Sequence, residues 1–439
     1  MKDKVKKILI VVFWIAVWGV IATIIASPLI LASPIDVAQS LLIQVTIPKF
    51  WITVGLSLFW IFLGFILAFI LGTILALLSY RFKLFHDFIN PLIQFMKSAP
   101  VVCFIVLLLV WVGTSFLDVI TVIIAVVPIY FYAIYEACQH RNTETANMLK
   151  VFEVPGRTIW KVFEWPSALP YVKQATKSGI GIAWKSGVTA QMIGAVMLTI
   201  GEGIYNSKVM LDSGQLLMWM FIVILLSWIC EKIMIAIINK SNKTSIKRVL
   251  KKIKPRELKE CDDPLIKIGN LSKSYDKKLF ENFNLNVHKK DRFTLMAETG
   301  TGKTTLIKII LGLVKPDSGT IDARCKFSVV FQDDTLLKNL NVKDNIAIAT
   351  QKQIDTIDLV PNKMPDELSG GMKRCAQIER ALKADSHVVV MDEPLSGLDK
   401  KTKEKAINYI NENLGDRALI LVTHDKLDTF DLNAQSILL

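Results

Sequence analysis

No two of the six cysteines (Cys103, Cys138, Cys230, Cys261, Cys325 and Cys375) are spaced as Cys-x-x-Cys. That absence excludes a zinc ribbon and a thioredoxin-like redox pair, and it leaves no disulfide framework. Acidic residues are in short supply, 39 Asp and Glu against 52 Lys and Arg, for a net charge of +13. The basic surplus is not gathered into clusters interleaved with aromatics, as a nucleic-acid groove requires, so nucleic acid is not an expected partner. It sits between apolar runs or just after the last of them, the placement of loops that face an anionic leaflet. Long apolar runs are missing beyond about residue 240, although 52% of the chain is hydrophobic. A membrane domain over residues 1–240 and a separate, more polar domain behind it are therefore expected.

The run from Ile8 to about Leu31 is long enough to cross a bilayer, which takes about 20 residues, and too long for the core of a secretory signal. It is read as a retained first helix. Five further spans are expected at about 50–80, 89–113, 117–138, 171–194 and 215–239. The fifth, with SGIGIAWKSGVTAQMIGA, is weakly apolar and rich in small residues, which suits an inner helix lining a path. One set of loops carries Lys2, Lys4, Lys6, Lys7, Arg81, Lys83, Arg141, Lys150, Arg157, Lys161 and Lys240; the other has little beyond Lys49 and Lys208. The positive-inside rule then places both termini, and all that follows the last span, in the cytoplasm. Lys185 falls about 14 residues into the fifth span, roughly 20 Å along it and near mid-bilayer. A charge there is expected either to attract an anionic substrate or to pair with a carboxylate such as Glu202.

Residues 142–170, NTETANMLKVFEVPGRTIWKVFEWPSALP, are too polar to span. They read as an amphipathic helix pair broken at Pro155-Gly156. Either this is an ordinary loop or it is a segment that couples the membrane domain to a motor. KSAPVVCFIVLLLVWVG, AWKSG and IGEGIYNSKVMLD resemble permeases of the nitrate/sulfonate/taurine import family, over about residues 35–239. That family carries Glu-Ala-Ala and a downstream Gly in its coupling loop. Alignment on Pro166 and Leu169-Pro170 puts Asn147-Met148-Leu149 and Glu153 at those places, a degenerate version of the motif.

Residues 241–262 form a basic linker for which attraction to anionic lipid is a sufficient account. From residue 263 short β-rich runs alternate with helices, the mark of an α/β domain to the end at 439. AETGTGKTT at 297–305 follows a strand, Phe293 to Met296, and precedes the periodic helix LIKIILGL. That context makes it a phosphate-binding loop for ATP. Glu298, Thr299, Gly300, Thr301, Gly302, Lys303, Thr304 and Thr305 form the expected cradle: a nest of N–H groups, a lysine for the β and γ phosphates, and a Thr304 hydroxyl for Mg²⁺. Ala297 stands where the pattern has its first glycine. VVVMDE at 388–393 is a buried strand ending in two acids. Asp392 is expected to support Mg²⁺ and Glu393 to polarise the attacking water.

LSGGM at 368–372 resembles the signature of ATP-binding cassettes. The resemblance implies that Ser369, Gly370 and Gly371 contact the γ-phosphate held by a second copy, so a homodimer is expected. Gln332 in VVFQDD matches the loop that senses Mg²⁺ and contacts the membrane domain, and Asp399 in SGLD the loop crossing the dimer interface. His424 in LILVTHD matches the switch histidine on the γ-phosphate, and Tyr275 in SKSYDKK the aromatic that stacks on adenine. Only 29 positions separate Lys303 from Gln332 and 36 separate Gln332 from Leu368, short for the family, so a trimmed β layer and helical subdomain are expected.

The expected architecture is an all-α polytopic membrane domain of six helices, like a type I importer, followed by an α/β P-loop cassette. The resemblance implies ATP-driven import of a small solute across the cytoplasmic membrane, fed by a separate extracytoplasmic binding protein. An exporter half or a non-transporting mechanical or regulatory ATPase are the alternatives.

Overall fold

The fold is that of a computed structural model. The structure describes residues 2–241, 246–251, 256–258, 260–275, 278–296 and 302–438. It divides into two compact units, residues 1–141 with 167–242, and residues 142–166 with 243–439.

The first unit is helical: α1 Lys2–Ile25, α2 Pro34–Val45, α3 Pro48–Arg81, α4 Lys83–Ser98, α5 Val101–Val112 and α6 Leu117–Gln139. After the excursion into the second unit, α7 Thr143–Val151 and the short α8 Gly156–Ile159, the chain returns through α9 Trp165–Ile193, α10 Ile200–Val209 and α11 Ser213–Ser241. Among the described residues, α1 (from Ile8), α3, α6 and α11 are long and apolar enough to cross a membrane. The expected third span, 89–113, is two helices, α4 and α5, meeting at 103°. Pro100 explains the break: it has no N–H for the helix ladder and turns Ala99 away from helical geometry, to ψ 140°. The expected fifth span falls on α9, a continuous 29-residue helix ending at Ile193 that is not among the described helices apolar enough to cross a membrane. The break at Pro155-Gly156 is present, but the second helix of that pair runs on through a π-turn at Trp160–Glu164 into α9.

Close packing in this unit comes from small residues. Ser57, Gly64, Ala68, Gly72, Ala76 and Ser79 form a buried stripe on α3 facing α6. A Cβ at Gly64 would stand 2.9 Å from Val119 O, and one at Gly72 2.9 Å from Val127 O. Helix association without a hydrophobic driving force depends on such contact. A buried polar chain ties α3 and α6 to α9 and the start of α10: Gln191 Nε2 donates to Asp118 Oδ2 at 2.7 Å, Ser57 Oγ donates to Gln191 Oε1 at 2.9 Å, and Ile200 N donates to Ser57 Oγ at 2.8 Å.

The second unit holds a three-stranded antiparallel sheet, order β2-β1-β4, from β1 Ile266–Ser274, β2 Lys278–Val287 and β4 Ser318–Asp322. It also holds a five-stranded sheet, order β5-β6-β7-β3-β8, from β3 Arg292–Met296, β5 Phe327–Val330, β6 Val388–Asp392, β7 Ala418–Val422 and β8 Gln435–Leu438, all of whose pairs are parallel. Strands β5, β6 and β7 are buried throughout, hence sequences that are apolar apart from Ser328 and the terminal Asp392. The helices are α12 Ile246–Leu250, α13 Lys303–Ile310, α14 Val342–Thr350, α15 Gly370–Lys383, α16 Lys400–Asn413 and α17 Lys426–Asp431. Between β5 and α15 the described structure has one α-helix, the nine-residue α14.

Candidate nucleotide site and coupling segment

The parallel sheet gathers its chemistry at the carboxyl ends of its strands. Of the expected cradle, Glu298, Thr299, Gly300 and Thr301 lie outside the described residues. Gly302 opens α13 with φ +96°, and a Cβ there would meet Leu279 Cβ at 2.9 Å, so only glycine fits. Lys303 is buried, its Nζ 3.4 Å from His424 Nδ1. Thr304 Oγ1 donates to Asp392 Oδ2 at 3.0 Å, and Thr305 follows on the same helical turn.

Asp392 ends β6, and burial pushes its carboxyl above the ordinary aspartate range. Glu393, at φ +48°, turns its side chain out of the strand line. Its Oε1 lies 2.8 Å from His424 Nε2, and its Oε2 accepts from Gln332 Nε2 at 3.2 Å. Lys403 of α16 anchors the loop after His424 through Asp425 at 2.7 Å and Asp428 at 2.6 Å. Six expected residues, Lys303, Thr304, Gln332, Asp392, Glu393 and His424, thus form one linked cluster although the sequence scatters them. The donors around Thr304, Gln332 and Asp392 are hard oxygens with a buried carboxylate, a set that fits Mg²⁺.

The other expected site residues have local roles in a single chain. Ser369 caps α15, its Oγ accepting from Met372 N at 3.3 Å, with Gly370 and Gly371 in the first turn. Asp399 caps α16, accepting from Thr402 Oγ1 at 2.6 Å and from Thr402 N at 3.1 Å, and these bonds, the side-chain one first, hold its carboxyl below the ordinary range. Tyr275 follows β1, 62% exposed, with Lys273 Nζ 5.2 Å from its ring centroid.

Residues 142–166 pack with this unit and share its core: Ala146, Met148, Leu149 and Phe152 are buried in one cluster with Ile309, Ile310, Leu340 and Ile348. Asn142 caps α7 by accepting from Thr145 N at 2.8 Å. In the first turn, Glu144 Oε1 accepts from Lys308 Nζ of α13 at 2.7 Å. Alignment with the family's motif puts Asn147 at the acidic place, whereas the carboxylate that reaches the nucleotide-loop helix is Glu144, one turn earlier. An acid two residues after an Asn cap, in the first helical turn, is the available signal. Glu153, at the place of the family's glycine, has φ +56°. Its carboxylate meets Lys326 Nζ at 3.0 Å, and Gln351 Nε2 donates to the carbonyls of Phe152 and Glu153 at 2.9 and 3.2 Å. From α15, Arg374 donates to Phe331 O at 2.6 Å and also to Gln332 O, and Arg380 donates to Thr335 O at 2.9 Å.

In the first unit, Lys185 is exposed and lines a cavity of about 570 Å³ with Trp184, Trp228, Ser227 and Glu231. Glu202 is occupied elsewhere, accepting from Leu198 N at 2.6 Å at the start of α10. Among the described residues no ion pair joins it to Lys185.

Residues 280–396 match the family model described as ABC transporter, and residues 64–241 the model for the inner membrane component of binding-protein-dependent transport systems. The chain joins a permease domain to an ABC-type ATPase domain. A spermidine/putrescine import ATP-binding protein of Mycoplasma capricolum is 30% identical over 203 residues, 39% of this chain and 58% of the relative. Its counterpart in Borrelia garinii is 32% identical over 205 residues, 39% of this chain and 59% of the relative. The chain thus spans less than two thirds of the length of these relatives. A dimeric ATP-binding cassette bound to ADP and Pi is 25% identical to the permease–cassette chain, with 40% of it and 94% of that structure covered and a TM-score of 0.35.

Proposed function

We propose that the chain is an ATP-driven membrane importer that works as a homodimer and receives its solute from a separate extracytoplasmic binding protein. The observation that carries the reading is the seating of α7, which continues the membrane chain, in the core that holds the nucleotide helix α13. The import direction is supported by the permease-type match and by relatives that are import ATP-binding proteins.

In this reading Lys303 and the loop before it bind the phosphates of ATP. Thr304, Asp392 and Gln332 would hold Mg²⁺, which when bound neutralises phosphate charge. Glu393 orients and polarises the attacking water while His424 fixes its carboxylate. Ser369, Gly370, Gly371 and Asp399 serve the site of a second copy, and Tyr275 stacks on adenine. Both termini and the ATPase domain lie on the cytoplasmic side, where the basic loops are.

The solute passes the cavity of Lys185. Its lysine, which shares the lining with Glu231, offers a partner for an anionic group, in line with the resemblance to nitrate, sulfonate and taurine permeases. Spermidine and putrescine, in the relatives' names, carry the opposite charge. Those relatives are ATP-binding proteins, so their likeness concerns the cassette and not the solute path. The test is uptake into liposomes holding the full chain, with ATP inside and the genomically neighbouring binding protein outside. ATP-dependent uptake of that protein's ligand is expected, and Lys185→Ala is expected to weaken it with thermal stability retained. Extrusion, or ATP turnover at full rate by a single copy, would overturn the reading.

A further inference from the structure

The linker does more than tether. Val249 and Leu250 of α12 pack against the core shared by α7 and the cassette, and Arg256 is buried, with 1% of its side chain exposed. Its Nη2 donates to Phe327 O, the first residue of β5, at 2.9 Å and to Val151 O, the last residue of α7, at 3.2 Å. Its Nε lies 3.7 Å from Glu153 Oε2. Its Cζ is 6.0 Å from the ring centroid of Phe152, and Arg380 Cζ of α15 is 5.8 Å from the same centroid. The buried ring at the end of α7 is thus flanked by one guanidinium from the linker and one from the signature helix.

Burial of a guanidinium is costly unless carbonyls, carboxylates or ring faces receive it. A flexible basic tether at a lipid surface would keep such a residue in water. Here burial pulls the Arg256 pKa down, and Glu153 and then Asp385 oppose that shift. One nitrogen, Nη2, holds both carbonyls from distant elements, while the guanidinium carbon stands 6.0 Å from the Phe152 ring centroid; a lysine offers a point charge without that plane.

We propose that Arg256 is a positioning residue that fastens the carboxyl end of α7 to the cassette of the same chain. Lys308 holds the start of α7 through Glu144, and Arg256 holds its end through Val151, Phe152 and Glu153. The coupling segment is then gripped at both ends, and the grip at its carboxyl end comes from the covalent connection between the two domains. The assignment does not depend on the direction of transport or on the solute.

The test is hydrogen–deuterium exchange on the full-length protein in nanodiscs, wild type against Arg256→Ala and Arg256→Lys. In Arg256→Ala, amides 148–154 are expected to exchange at least ~10-fold faster, while those of β6 and β7 keep wild-type protection and nucleotide affinity is unchanged. Arg256→Lys, which retains charge and most of the bulk, is expected to restore protection only in part. Wild-type protection of 148–154 in Arg256→Ala overturns the proposal. If Arg256→Ala does not fold, Arg256→Lys decides: full protection at 148–154 overturns it, and selective loss there supports it.

Discussion

His424 Nε2 stands 2.8 Å from Glu393 Oε1, and Gln332 holds the other oxygen of that carboxylate. The acid at the end of β6 is therefore fixed by groups that follow the two flanking strands, β5 and β7. Glu393→Gln is expected to lower ATP turnover by about 100-fold or more, the usual range for loss of a general base. Nucleotide affinity should survive. Phosphate release measured beside equilibrium nucleotide binding separates the two, and wild-type turnover would remove Glu393 from the role.

Asp392 is buried against Thr304, and that burial raises its pKa. A raised acid pKa means that the proton is held to a higher pH than in an ordinary aspartate. Ionised Asp392 is the form that attracts Mg²⁺, so on acidification Mg²⁺-dependent nucleotide affinity is expected to begin to fall at a higher pH than an ordinary aspartate would cause. Asp392→Asn should bind weakly without this dependence on the Asp392 proton. Titration of a fluorescent nucleotide at fixed Mg²⁺ reads both; identical pH profiles for the two proteins would contradict the expectation.

Glu153 occupies a left-handed conformation that costs a side-chain-bearing residue about 1–2 kcal/mol. Its carboxylate recovers some of this through Lys326 and Arg256, less than a buried pair would, because the side chain is half exposed. Glu153→Ala keeps the strain and loses the charge, so a lower melting temperature is expected. Glu153→Gly loses the charge and the strain together and should melt closer to wild type. Thermal melts of the three proteins rank them, and an alanine variant as stable as the glycine variant would count against the account.

Gly72 faces Val127 O at a separation that leaves no room for a Cβ. Gly72→Val should push α3 from α6 at a cost of roughly 1–3 kcal/mol or more, the range for overpacking. A substitution at Gly55, which meets nothing within 4 Å, should be tolerated. Detergent melts and yields from membranes check the contrast; equal behaviour at the two positions would refute the packing argument.

The nucleotide motifs were legible because phosphate chemistry demands fixed residue types at short, local spacings. Lys303 with Thr304, and Asp392 with Glu393, declare themselves within a few positions. The apolar runs likewise marked the membrane helices, since hydrocarbon imposes composition directly. The sequence did not reveal the 103° break that splits the third expected span, because composition averages over a single proline. It did not single out Glu144 over Asn147, since only the seat on α13 distinguishes one turn of α7 from the next.

By itself, then, the sequence determined what is encoded locally: the order of elements, the phosphate loop, the acids that end β6 and the divide between apolar and charged halves. The tertiary structure alone decided which distant groups meet. Asp118, Gln191 and Ser57 come from three separate helices to form one buried chain, and Arg256 leaves a basic linker to lie beneath Phe152. The physical reason is that the worth of a polar group depends on its burial and its partners. Both belong to the packed chain, and neither is written in the residue type.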